Sequence, residues 1–320
     1  MLNASGDILQ KMKGLVFKYG VYFVLVAMII VLSLSIRSFL TPRNILNVLR
    51  QISMNTILAC GMTFVIISNG IDLSVASTVS LAGVIACLFA HPGEYPFIIS
   101  MVVVLLLGFV VGGINGVIIS HTGVPAFIVT LGTQQVVRGI AFIITNGSSV
   151  INLSNEYRFI GQGVWLGIPF PIYILAIIFV ISYIFLHKTK FGRYVYAVGG
   201  NDQAANVSGI NVKRIRVLVY IIASIFAAIV GVILSSRTNS ANPNAGMSYE
   251  LDAIAAVVIG GTSMSGGKGV MLGTVIGALM IGILNNGLDL IQVSSYLQQV
   301  IKGIVIIGAV MLDRINEVRK

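Results

Sequence analysis

Apolar runs of bilayer-spanning length follow one another along almost the whole chain, and that succession constrains the fold more than any single motif. A spanning helix needs about 20 mostly apolar residues. Of the 320 residues 57% are hydrophobic and 9% are charged, whereas a soluble domain carries roughly a quarter charged residues. The expectation is an all-α, polytopic membrane bundle forming a single domain over residues 1–320, with no room for a sizeable soluble domain.

About ten spans can be drawn: 19 to 36, 51 to 68, 73 to 90, 97 to 119, 125 to 145, 171 to 186, 214 to 236, 250 to 266, 269 to 288 and 296 to 312. The first lacks a small-residue cleavage pattern and reads as a retained helix. An even count puts both termini on one side, and the distribution of Lys and Arg makes that side cytoplasmic. Lys11, Lys13, Lys18, the 187–216 region, Lys268, Arg314, Arg319 and Lys320 give 13 basic residues inside. Arg37, Arg43, Arg50, Arg158 and Arg237 give 5 outside, and Arg138 and Lys302 within spans complete the 20. The arginines of "TPRNILNVLR", on the less basic side, suit a short interfacial helix opened by Pro42, or else mark a miscounted early span. The net charge of +10 is thus a topology signal, and no region combines clustered basic residues with a fold-sized polar stretch, so nucleic acid is set aside.

Cys60 and Cys87 lie inside apolar runs and read as packed small hydrophobes. His91, His121 and His187 fall near span ends without metal-ligand spacing, and no metal or cofactor is implied. "GGTSMSGGKG" resembles a nucleotide loop only superficially: a phosphate loop needs Gly at 262 and Ser or Thr at 269, where this chain has Thr262 and Gly269. No serine elbow has acid and histidine partners, so an enzyme is not expected. Gly108, Gly112 and Gly116, and again Gly269, Gly273 and Gly277, form small-residue ridges that suit close helix packing, within the chain or between two copies.

Three segments carry the functional signal. In "SNGIDLSVAS", Asn69 and Gly70 terminate one helix and Asp72 stands where the N-cap of the next would be; Asn69, Asp72, Ser74 and Ser77 also form a polar cluster bordering a solute path. In the inner loop 187–213, Asn201 caps a short helix through Asp202, Gln203, Ala204, Ala205, Asn206 and Val207, with Ser208 and the stop residue Gly209 after it. Two turns alone are marginal, so this helix is expected to dock on a soluble partner, with Ala205 as a small docking residue. The outer segment 146–170 carries Tyr157 and Trp165, suited to the interfacial belt. Glu250 and Asp252 sit at an outer helix start, favoured by the helix dipole or used at the entrance.

"GRYVYAVGGNDQAANVSGINV" closely resembles the cytoplasmic coupling segment of permease subunits of bacterial ABC importers for simple sugars, the ribose-type branch. "NGIDLSV", "AFIVTLGT", "YELDAIAAVVIGGTSMSGGKG" and "GTVIGALMIGILNNGL" resemble that family's segments in the same order, across nearly the whole chain. Ala76 departs from the glycine frequent there. The resemblance implies a multi-pass protein of the bacterial inner membrane, a second permease copy, two ATP-binding cassette subunits in the cytoplasm and an extracytoplasmic sugar-binding protein. Surrounding lipid is the remaining partner. A path for hydroxyl-bearing solutes calls for scattered Asn, Gln, Ser and Thr. The candidates are Asn55, Thr63, Asn69, Asp72, Ser74, Thr133, Gln134, Asn285 and Asn286. The alternative is an ion-coupled sugar carrier, which predicts carboxylates paired at mid-membrane, whereas the acids here cluster at span ends.

Overall fold

The computed structural model describes residues 21–318. Lys11, Lys13, Lys18, Arg319 and Lys320, which enter the charge count, lie outside the described residues, as does the start of the first span. The helices are α1 (Val21–Ser35), α2 (Pro42–Ile67), α3 (Val75–Leu88), α4 (Phe97–Thr122), α5 (Ala126–Thr145) and α6 (Asn155–Gln162). A two-residue antiparallel ribbon, β1 (Val164–Trp165) with β2 (Ile168–Pro169), precedes α7 (Phe170–Lys188). Then come α8 (Lys190–Gly200), α9 (Asp202–Val207), α10 (Val212–Thr238), α11 (Tyr249–Ile259), α12 (Met271–Leu290) and α13 (Ser295–Val318).

The result is an all-α membrane bundle in which, among the described residues, six helices, α2, α4, α5, α7, α10 and α12, are long and apolar enough to cross a bilayer. Each of the ten drawn spans falls on a helix, but their lengths differ from the drawing. Pro42 opens α2 directly, so "TPRNILNVLR" is the first part of a 26-residue helix and not a separate interfacial one. Proline at that position loses no intrahelical bond. The span drawn at 250 to 266 is an 11-residue helix, about 16 Å long, that stops at Ile259. Gly261, Gly266 and Gly267 then take left-handed backbone that a continuing helix excludes.

α2, α3 and α10 form the buried centre, with Met54, Ile57, Phe64, Val79, Tyr220 and Ile233 in one continuous core. Around that centre the glycine ridges bring α4 close to α10 and α12 close to α11, so both act within this chain. A methyl at Gly112 would overlap the Tyr220 carbonyl of α10, and one at Gly116 would come 2.6 Å from Val217 Cα. A methyl at Gly273 would overlap the carbonyl of Gly260, which caps α11, and one at Gly277 the Ala256 carbonyl within α11. Both cysteines are free and buried. Tyr157 is not an interfacial residue: it is fully buried, its hydroxyl 2.6 Å from Ser235 Oγ on α10, whereas Trp165 is exposed. α6 lies along α10 at this end, where Gly161 N donates to Ser236 Oγ (2.7 Å).

Candidate functional site

At the opposite end of the bundle, the two short helices α8 and α9 project between α7 and α10. Thr189 Oγ1 accepts from Gly192 N and starts α8; Asn201 Oδ1 accepts from Ala204 N (2.9 Å) and starts α9. Gly209, at φ 82°, turns the chain out of the helix, and Asn211 Oδ1 caps α10 through Arg214 N. A two-turn helix gains little stability from its own hydrogen bonds. It is held by an ion pair from Arg216 Nη2 on α10 to Asp202 Oδ2 (2.8 Å) and by Ala205, which is 4% exposed. Ala205 therefore faces the bundle, not a partner, because helical periodicity turns Gln203, Ala204, Asn206 and Val207 outward. Val207 is 90% exposed, and a cleft of about 530 Å³ beside it is lined by Asp202, Gln203, Asn206, Lys213 and Arg216.

α8 is pressed against the membrane-embedded part of the chain. A methyl at Gly199 would overlap the Ile67 carbonyl at the end of α2, and Gly267 N donates to that same oxygen (2.8 Å). Tyr196 Oη donates to Gly269 O (2.7 Å); burial raises the Tyr196 phenol above its ordinary range, so it remains a donor. The 260–269 segment that mimics a phosphate loop is thus a backbone seat for α8, with Met271 N bonded to His187 Nε2 (3.3 Å) beneath it.

Beside this seat lies the 68–74 turn. Asn69 is left-handed at φ 63° and exposed, and cavities of about 180 Å³ and 150 Å³ open on it and Gly70. Asp72 is not the N-cap of α3. Its Oδ1 accepts from Ser74 N (2.9 Å) and Ser74 Oγ (2.6 Å), closing a local turn, and the helix begins at Val75. The bonds continue from Asn115 Nδ2 to Ser74 Oγ (2.8 Å) and from Thr133 Oγ1 to Asn115 Oδ1 (2.6 Å), tying the turn to α3, α4 and α5. Asn115 was missed from sequence; its only signal was an amide inside the glycine ridge of an apolar span.

The other path candidates separate into groups. Thr63 meets Thr274 (2.8 Å), and Asn286 exchanges two bonds with Asn44 (3.0 and 2.9 Å), so these stitch α2 to α12. Asn55 is buried with an unpartnered Nδ2. Asn285 Nδ2 donates to Asp252 Oδ2 (3.1 Å), which also takes Lys302 Nζ of α13 (3.0 Å). This carboxylate lies in the first turn of α11, at a helix end as expected, and it is paired with a lysine 50 residues away, beyond any local pattern. Gln134 Nε2 donates to Glu250 Oε1 (3.1 Å) at the start of α11.

The geometry is that of an apolar helical bundle with two short helices, α8 and α9, packed beside the start of α10. Residues 44–310 match the family described as branched-chain amino acid transport system / permease component. The chain is 48% identical over 303 residues to the ribose import permease protein RbsC of Bacillus subtilis (strain 168), covering 94% of each. It is 44% identical over 293 residues to the ribose import permease protein RbsC of Escherichia coli (strain K12), covering 90% of this chain and 91% of that protein. The D-allose transport system permease protein AlsC of the same organism is 40% identical, over 93% and 92% respectively. No solved structure matches.

Proposed function

Because this chain belongs to the branched-chain amino acid transport system / permease component family, we propose that it is the membrane-spanning subunit of an ATP-driven importer for ribose or a related simple sugar. The observation that carries this reading is α9: a capped, exposed helix with Val207 outward, braced by Arg216 and seated through α8 on the ends of α2 and α11. Such a helix serves a partner that pushes on it. The partners are two cytoplasmic ATP-binding cassette subunits on α9 and an extracytoplasmic sugar-binding protein on the opposite face, near 146–170 and 237–249. A second copy of this chain completes the path, and lipid surrounds the remainder. ATP hydrolysis belongs to the cassettes, not to this chain.

In this reading the whole chain is one transmembrane domain of about ten spans in the inner membrane, the α9 end and both termini being cytoplasmic. What supports it is that a helix lies on each of the ten drawn spans, α3 and α11 being too short to cross alone. The contacts from Asn201 to Gly209 transmit cassette closure, and the path borders Asn69, Asp72, Thr133 and Gln134, with the remaining polar candidates holding its walls.

The Asp252–Lys302 pair is the feature that an ion-coupled carrier would share. The two readings separate in cells expressing the system: a protonophore with ATP levels held constant leaves accumulation of labelled ribose intact if ATP drives it. Collapse of accumulation with the ion gradient overturns the proposal.

A further inference from the structure

The bundle contains an ionisable cluster that neither the α9 lever nor the helix-to-helix stitching uses. α10 ends at Thr238, and Ala241 pairs with Val150 in an isolated antiparallel bridge beyond the end of α5. From there the chain turns back between the helices. Ser80 Oγ of α3 donates to Pro243 O (2.7 Å), and Arg138, in the middle of α5, donates Nη1 to Pro243 O (2.7 Å) and Ala245 O (3.1 Å). Gly246 packs against Val79 and Ala76. α11 therefore starts part-way along the bundle, preceded by irregular backbone. Such backbone survives at membrane depth only where protein buries it or where it lines a water-filled cavity, and interrupted helices at that depth are where transporters place solute contacts.

Three half-buried polar side chains meet at this start. Gln134 Nε2 donates to Glu250 Oε1 (3.1 Å), Arg138 and Glu250 attract each other through space, and the buried Glu250 Oε2 has no hydrogen-bond partner among the described residues. Two other buried carboxylates differ. Asp252 is neutralised by Lys302 and bonded by Asn285, and Asp72 is fully buried behind Ser74. Exposed Met247 and Leu251 flank the cluster with apolar surface.

We propose that Gln134, Arg138 and Glu250 form a contact station for sugar hydroxyls within the membrane-spanning path. The inference rests on the import reading above and assigns residues to it. A carboxylate oxygen accepts from hydroxyls, a guanidinium donates to them, and an amide does both, so the set matches a neutral polyol that donates and accepts at every hydroxyl. Arg138 offsets the charge of Glu250, which keeps a carboxylate tolerable at this depth. Met247 and Leu251 present apolar surface to the C–H face of the sugar. A path must bind loosely enough to release, and three contacts without a closed pocket meet that condition.

The test uses the complete complex, permease with cassettes and binding protein, in proteoliposomes, measuring labelled ribose and 2-deoxyribose uptake per ATP hydrolysed. Glu250→Gln and Gln134→Ala are expected to lower ribose uptake per ATP by about tenfold, the scale of one or two lost hydrogen bonds to a charged group, and to narrow the ribose to deoxyribose ratio. Scoring per assembled complex removes any loss from failed insertion, and two variants on different helices guard against one failing to assemble. Unchanged uptake per ATP and an unchanged sugar ratio in both variants overturn the station. Failure of the wild-type complex to move ribose on ATP overturns the import reading instead, so the two failures are distinguishable.

Discussion

Lys302 of α13 places its ammonium 3.0 Å from Asp252 Oδ2 on α11, and that carboxylate side chain is only 4% exposed. Removing one partner of a buried pair leaves an uncompensated charge and costs about 3–5 kcal/mol, whereas removing both with similar volume is close to neutral. Lys302→Met is therefore expected to lower the thermal stability of the detergent-solubilised protein sharply. Lys302→Met combined with Asp252→Asn should recover most of the loss. Differential scanning fluorimetry of the four proteins checks the coupling; additive losses would show that the pair does not fasten α13.

Gly199 leaves no room for a side chain between α8 and the Ile67 carbonyl. Gly199→Val should separate α8 from α2 while leaving the outer face of α9 intact. The expected outcome is a complex that still binds its cassettes but loses most ATP-driven uptake. Wild-type uptake would mean that the seat transmits nothing.

Val207 is almost fully exposed on a helix whose neighbours are capped and braced. Val207→Asp is expected to weaken cassette binding by about tenfold or more, because a charge would replace the apolar knob of the proposed interface, with membrane insertion unchanged. Ala205→Arg would instead disturb how α9 sits, since Ala205 faces inward. Co-purification of the cassette with each variant separates the two effects; undiminished binding by Val207→Asp would remove α9 as the contact.

Asn115 joins Ser74 to Thr133 through bonds of 2.8 and 2.6 Å. Asn115→Leu removes the acceptor of the half-buried Thr133 hydroxyl and the donor to Ser74 Oγ, which keeps Asp72 as its own acceptor, a destabilisation of about 1–3 kcal/mol. Hydrogen exchange is expected to rise in residues 69–75 and in the first half of α5. Unaltered exchange there would contradict the link.

Much of this architecture is written in local patterns. The long apolar helices follow from hydropathy, and the Asn201 cap and Gly209 stop follow from side-chain and backbone preferences that act within three residues. Long-range partners were not legible in the same way. Lys302 reads as one odd lysine until α13 brings it to Asp252, and Asn115 reads as one amide until α3 and α5 close on it. The span at 250 to 266 was overdrawn because hydropathy continues past Ile259, where the left-handed glycines end the helix and build the seat for α8. Asp72 reads as the cap of the next helix, but its carboxylate serves Ser74 within the turn, two residues ahead of the N-cap position that Ser74 itself occupies.

The central claim is that force enters this chain through α9 from an ATP-hydrolysing partner. It is tested most directly by labelled ribose uptake into proteoliposomes holding this chain, compared with and without the cassette subunits, with binding protein and ATP supplied on their respective sides. The account predicts accumulation only when the cassettes and hydrolysable ATP are both present. Accumulation by this chain alone, driven by a sodium or proton gradient, would contradict it.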